Sequence, residues 1–124
     1  MPERESLYAK VPDYRVDLEP SERRVRVLFG GETVADSART LLVKETKHAD
    51  VLYFPREDVR FEHLERTGHE SFCPFKGEAA YWTLRAGGAS SENAVWSYED
   101  PFPEVAGLKD YVSFYADRVE WRFD

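Results

Sequence analysis

With 124 residues, 42% of them hydrophobic and 15% aromatic, the chain can bury a core without staples, which predicts one domain over residues 1–124 and excludes a disordered chain. Its 24 acidic side chains against 17 basic ones give a net charge of -7, which repels a phosphate backbone and argues against a nucleic-acid partner. Met1-Pro2-Glu3-Arg4-Glu5 lacks the apolar core of a signal peptide, no run approaches the ~20 residues of a membrane span, and the single cysteine, Cys73, fits a reducing compartment. The expectation is a cytoplasmic protein with no membrane partner and no internal disulfide.

The first half reads as a meander. Tyr14, Val16 and Leu18 alternate with Arg15, Asp17 and Glu19 at the two-residue period of a half-buried strand, closed by Pro20-Ser21-Glu22. Val25, Val27 and Phe29 repeat that period, Gly30-Gly31 supplies the positive φ of a tight hairpin, and Thr33-Val34-Ala35 runs back out. Leu41-Leu42-Val43 and Val51-Leu52-Tyr53-Phe54 are apolar strands on either side of the polar connection Lys44 to Asp50, and Pro55 stops the second. Between Pro55 and Gly68 the period changes, and Val59, Phe61 and Leu64 predict a short helix or helical turn with Asp58 as N-cap and Gly68 as stop.

Ser71-Phe72-Cys73 then leads into the turn Pro74-Phe75-Lys76-Gly77. Ala79 to Arg85, Val95 to Tyr98, Tyr111 to Tyr115 and Val119 to Phe123 read as further strands, with Pro101 and Pro103 forcing a loop and Ala116-Asp117-Arg118 joining the last two. Some eight to nine short strands with one helical turn predict a mainly β fold, a curled sheet or open barrel.

Cys73-Pro74-Phe75-Lys76-Gly77 is the most unusual string. A cation set by the turn lowers a thiol pKa, so Cys73 is a candidate nucleophile with Lys76 as its activating partner, the alternative being a small buried hydrophobe beside Phe72 and Phe75. Arg39, Glu45 and Lys76 are charges at the edges of apolar runs; turned inward, the two cations would clamp a carboxylate or phosphate, with Glu45 as general base or orienting acceptor. As surface ion pairs they would do nothing of the kind. His48, His63 and His69 have no ligand spacing, so neither a metal nor a cofactor is expected. Tyr53, Tyr81, Trp82, Trp96, Tyr98, Tyr111 and Tyr115 suit either a pocket wall or a core. Dinucleotide, Walker A, nucleophile-elbow and zinc-protease signatures do not occur in the sequence.

The succession Asp36-Ser37-Ala38-Arg39, Leu42-Val43-Lys44-Glu45, Tyr53-Phe54-Pro55, Cys73-Pro74-Phe75-Lys76-Gly77, Tyr81-Trp82, Trp96-Ser97-Tyr98 and Tyr111 to Tyr115 resembles domain-of-unknown-function family 427, over roughly residues 14 to 122. The resemblance implies a β-tent, or Mss4-like, arrangement of two leaning antiparallel sheets. Related tents hold zinc through paired Cys-x-x-Cys knuckles, whereas one cysteine leaves packing alone to hold this one. Arg39, Glu45, Tyr53, Cys73, Lys76, Trp96 and Tyr98 fall on the family's recurrent polar and aromatic positions. A nucleotidyltransferase-like label accompanies the family, yet the paired aspartates that hold catalytic magnesium are missing here.

The leading expectation is therefore a cleft that binds a small, anionic molecule through Arg39, Glu45, Tyr53, Lys76, Trp96 and Tyr98, with Cys73 among them. An enzymatic alternative assigns Cys73 as nucleophile, Lys76 as its cation and Glu45 as base. A third reading is a protein-interaction module that uses an apolar patch or sheet edge.

Overall fold

The computed structural model of the protein describes residues 5–124 and holds ten strands joined by turns and short 3-10 segments. Residues 1–4, which carry much of the expectation about a leader, lie outside the described residues. In chain order the strands are β1 (Val16–Ser21), β2 (Val25–Phe29), β3 (Glu32–Ser37), β4 (Thr40–Glu45) and β5 (Val51–Pro55). They continue as β6 (Leu64–Cys73), β7 (Gly77–Ala86), β8 (Ala89–Ser97), β9 (Tyr111–Phe114) and β10 (Glu120–Phe123).

Every strand pairing is antiparallel. Seven strands form one sheet in the order β1-β4-β5-β9-β8-β7-β6, and three form a second in the order β10-β2-β3. Neither sheet closes on itself, so the molecule is an open, tent-like pair of leaning sheets, mainly β as the pattern predicts.

The two-residue period gives the large sheet two apolar faces. On β5, Phe54 turns toward the small sheet and meets Val25, Val27 and Val34, while Tyr53 turns the other way. Leu84, Val95, Val112 and Phe114 complete the layer between the sheets, where fully buried side chains of this size contribute roughly 1.5–3 kcal/mol each. The opposite face carries Val43, Tyr53, Tyr81 and Tyr98, covered by Phe102, Val105 and Leu108 around the 3-10 segment Pro103–Leu108.

Two hairpin turns touch backbone to backbone. Gly30 and Gly87 both have φ in the left-handed region, +58° and +56°. A Cβ at Gly30 would lie 2.1 Å from the Ala86 carbonyl oxygen, and one at Gly87 would lie 1.8 Å from that of Gly30. Gly31 and Gly88 also have positive φ but face open space.

The structure corrects several boundaries. Between Pro55 and Gly68 there are two single 3-10 turns, Arg56–Asp58 and Phe61–His63, and Asp58 caps neither. Its carboxylate instead accepts from Ser37 Oγ at 2.6 Å and from Arg39 at 3.2 Å. Gly68 stops nothing: it lies inside β6, where the register with β7 shifts between Arg66 and Glu70. β6 is an edge strand whose side chains are mostly exposed on both faces, so no apolar period announced it. β8 likewise begins at Ala89 through a polar stretch. The last two strands do not pair with each other, because β9 sits inside the large sheet and β10 lies against β2.

Candidate functional site

Register across the large sheet aligns the rings that matter. Tyr53 is opposite Leu41 on one side and Ser113 on the other, Ser113 is opposite Trp96, and Trp96 is opposite Tyr81. Directly paired residues share a face, so Tyr53, Trp96 and Tyr81 point to the side away from the small sheet. Glu45, an even number of residues along β4 from Leu41 and Val43, comes to the same side at the strand's end.

Lys76 arrives from the turn between β6 and β7. Its N–H donates to the Cys73 carbonyl at 3.2 Å and its own carbonyl accepts from Phe102 N–H at 3.1 Å, which fixes the turn against the aromatic face. The residue is 7% exposed. Its ammonium pairs with Glu45 Oε1, and the Tyr98 ring centroid is 5.9 Å away. The second oxygen of Glu45 accepts from the Tyr14 hydroxyl, with His48 Nε2 at 3.9 Å.

Lys76, Glu45, His48 and Tyr98 border a cleft of about 360 Å³. Glu45, His48 and Lys76 form its polar end, Val43, Val51 and Tyr53 its base, and Tyr81, Trp96, Tyr98 and Tyr115 its aromatic sides. Trp96 donates its indole N–H to the Tyr53 hydroxyl at 3.2 Å and its ring lies 4.6 Å from that of Tyr115. Tyr81 shares a 2.8 Å hydrogen bond with Ser71 Oγ. Among the described residues, the Tyr98 hydroxyl makes no hydrogen bond.

Electrostatics follow from this geometry. Burial pushes the Glu45 carboxyl up, but the hydrogen bonds from Lys76 and Tyr14, with the attraction of Lys76 and His48, outweigh it and leave the pKa below the usual carboxylate value. A carboxyl shifted in this direction is a weaker base than an ordinary carboxylate, and its two oxygens are already engaged by Lys76 and Tyr14, so Glu45 suits orientation and charge balance better than proton abstraction. Burial is the largest influence on Tyr53 and Tyr98 and raises both phenols, with Glu45 and Cys73 adding in the same direction.

Of the residues the sequence put forward for a binding site, Glu45, Tyr53, Lys76, Trp96 and Tyr98 border this one cleft, as do Tyr81 and Tyr115 from the wider set of rings. Cys73 is half-buried and packs against the same aromatic layer without lining the cleft; no hydrogen bond joins its thiol to Lys76 among the described residues. Arg39 is elsewhere. It precedes β4 while Glu45 ends it, which separates the two by about 20 Å of extended chain. Its guanidinium is 61% exposed and pairs with Glu57 at 3.0 Å and Asp58 at 3.2 Å, so a joint clamp by Arg39 and Lys76 is not formed.

Trp82 belongs to the layer between the sheets, flanked by Arg56 and Arg66. Tyr111 packs on the cleft side of the sheet without bordering the cleft. Residue patterns did not single out Tyr14 or His48 for this site. Tyr14 reaches Glu45 across the β1–β4 pairing, which has no local signature, whereas His48 lies three residues beyond Glu45 in the turn after β4, its N–H donating to the Glu45 carbonyl at 3.0 Å. Among the described residues, no group of three or more His, Cys, Asp or Glu is arranged to hold a metal ion, and no helix is long and apolar enough to cross a membrane.

No curated protein matches the chain. The model of the family described as domain of unknown function (DUF427), whose short label NTP_transf_9 speaks of nucleotidyl transfer, matches residues 17–124. That span takes in every strand but the first residue of β1, and with it the whole aromatic face and the Glu45–Lys76 pair, and on this match the chain belongs to the DUF427 family.

Proposed function

We propose that the cleft beside Lys76 binds a small molecule that offers an acceptor oxygen to the ammonium and a flat or apolar body to the rings. The position of Lys76 carries this reading: a nearly buried ammonium stands at the polar end of an aromatic cleft, held by one carboxylate. An ammonium has three N–H donors, and buried donors are costly to leave without acceptors. Glu45 is the hydrogen-bond acceptor for Lys76 among the described residues, so a ligand oxygen or water completes the set. The Tyr98 hydroxyl offers a second donor on the same cleft. A volume of about 360 Å³ lies within the ~300–1,000 Å³ range of small-molecule sites.

Glu45 offsets the charge of Lys76, so both a carbonyl and a carboxylate oxygen meet the requirement, and the relative affinity of the two reports the head's charge. The test is an NMR titration with phenylacetate and phenylacetamide that follows the Trp96 indole N–H. At least one is expected to shift that resonance, and the Glu45→Gln/Lys76→Met double variant is expected to bind about tenfold more weakly or worse, as befits a hydrogen bond to a charged group. Undiminished affinity in the double variant would refute the reading.

A further inference from the structure

The cleft does not end at its rings. Val51, Trp96 and Tyr115 also border a second hollow of about 470 Å³, which continues past Leu52 and Phe114 to Trp121 and Phe123. This groove follows the open seam of the tent, where β10, at the edge of the small sheet, meets β5 and β9 of the large one. Trp121 and Phe123, two residues apart on β10, present their rings on the same side, and Phe54 anchors Trp121 at 6.1 Å between centroids. Phe123 is 47% exposed and Tyr115 40%, the kind of open apolar surface that marks a groove with an occupant.

The two hollows differ in chemistry. Lys76, Glu45 and His48 border the cleft and not the groove, and among the described residues Asp50 is the only charged one that borders the groove. We infer that the two hollows form one site for a single-chain amphiphile, an acceptor head at Lys76 joined to an aliphatic tail that lies along Leu52, Phe114, Trp121 and Phe123. Charge and donors set the direction together: Asp50 repels a carboxylate head from the groove and offers it no donor, while the Lys76 ammonium, its charge offset by Glu45, offers the head N–H donors in the cleft. The exposed Tyr115 ring, tilted by 44° against Trp96 at the junction, is the partition that turns aside to join the halves. This rests on the cleft reading above and adds the tail, which phenylacetate is too short to test.

The experiment is a titration of the whole chain with butyrate, hexanoate, octanoate and decanoate, below their micellar concentrations, followed through the indole N–H signals of Trp96 and Trp121. Each added methylene is expected to tighten binding roughly fourfold while the tail fills the groove, the ratio that follows from ~0.8 kcal/mol per buried CH₂. Trp121 is expected to respond to octanoate and decanoate but not to butyrate. Phe123→Ser, at a half-exposed position that leaves the core intact, is expected to flatten the dependence on chain length without weakening butyrate. Equal affinities along the series, or phenylacetate binding with none for decanoate, would overturn the tail and leave the cleft standing. A chain-length dependence that survives Glu45→Gln/Lys76→Met with Trp96 unmoved would overturn the head as well, and with it the cleft.

Discussion

Removal of the Lys76 ammonium alone leaves the Glu45 carboxylate, 11% exposed, held by Tyr14 and the more distant His48. An uncompensated, nearly buried charge is the costly outcome, so Lys76→Ala is expected to lose about 2–3 kcal/mol in chemical denaturation, somewhat less than a fully buried pair would. Glu45→Gln/Lys76→Met removes both charges and is expected to be more stable than Lys76→Ala; a double variant less stable than the single one would contradict the pairing. Acid offers an independent check. The folded state holds the Glu45 carboxyl below its unfolded value of ~4.3, so its stabilisation is fully present above that pH and is lost as pH falls through the folded value. Between neutral pH and about pH 3, Glu45→Gln is therefore expected to lose less stability than the parent protein. Asp36, also held low, by the hydrogen bond from Arg24, contributes equally to both proteins and cancels in the difference.

Strands whose chemistry is local were legible in the sequence. Val25 to Phe29 and Thr33 to Ala35 alternate cleanly about Gly30-Gly31, and the β2–β3 hairpin lies there, with φ +58° and +82° at the two glycines. β6 was not legible, because an edge strand exposed on both faces has no buried side to impose a period, and its Gly68 reads as a helix stop when it lies within a shift of register. Nor does a sequence reveal that two turns touch. That contact separates glycines that look alike: Gly30→Ala or Gly87→Ala is expected to cost more than ~3 kcal/mol, since neither carbonyl can retreat without moving the opposite hairpin. Gly31→Ala or Gly88→Ala is expected to cost only the ~1–2 kcal/mol of a left-handed residue in open space. Thermal or urea melts of the four variants measure this, and equal losses would refute the close approach of the turns.

At the scale of the molecule, the large sheet has two working faces. One is sealed by the small sheet, while the other carries Tyr53, Tyr81, Trp96 and Tyr98 around the Glu45–Lys76 pair. Residue types suggested the members of this site, but their convergence depends on pairings between β4, β5, β9, β8 and β7, and register cannot be read from local pattern. Arg39 shows the limit. Like Glu45 it borders the apolar run Leu41 to Val43, yet it sits at the opposite end of β4 and belongs to the Glu57 and Asp58 network.

The most direct test of the central claim is a crystal structure of the protein with phenylacetate. The expected complex has a ligand oxygen at hydrogen-bonding distance from Lys76 Nζ and the ligand ring against Trp96. Phenylacetate bound instead beside Arg39, or in the separate hollow between Gly30 and Arg118, with the Lys76 cleft filled by water alone, would contradict it.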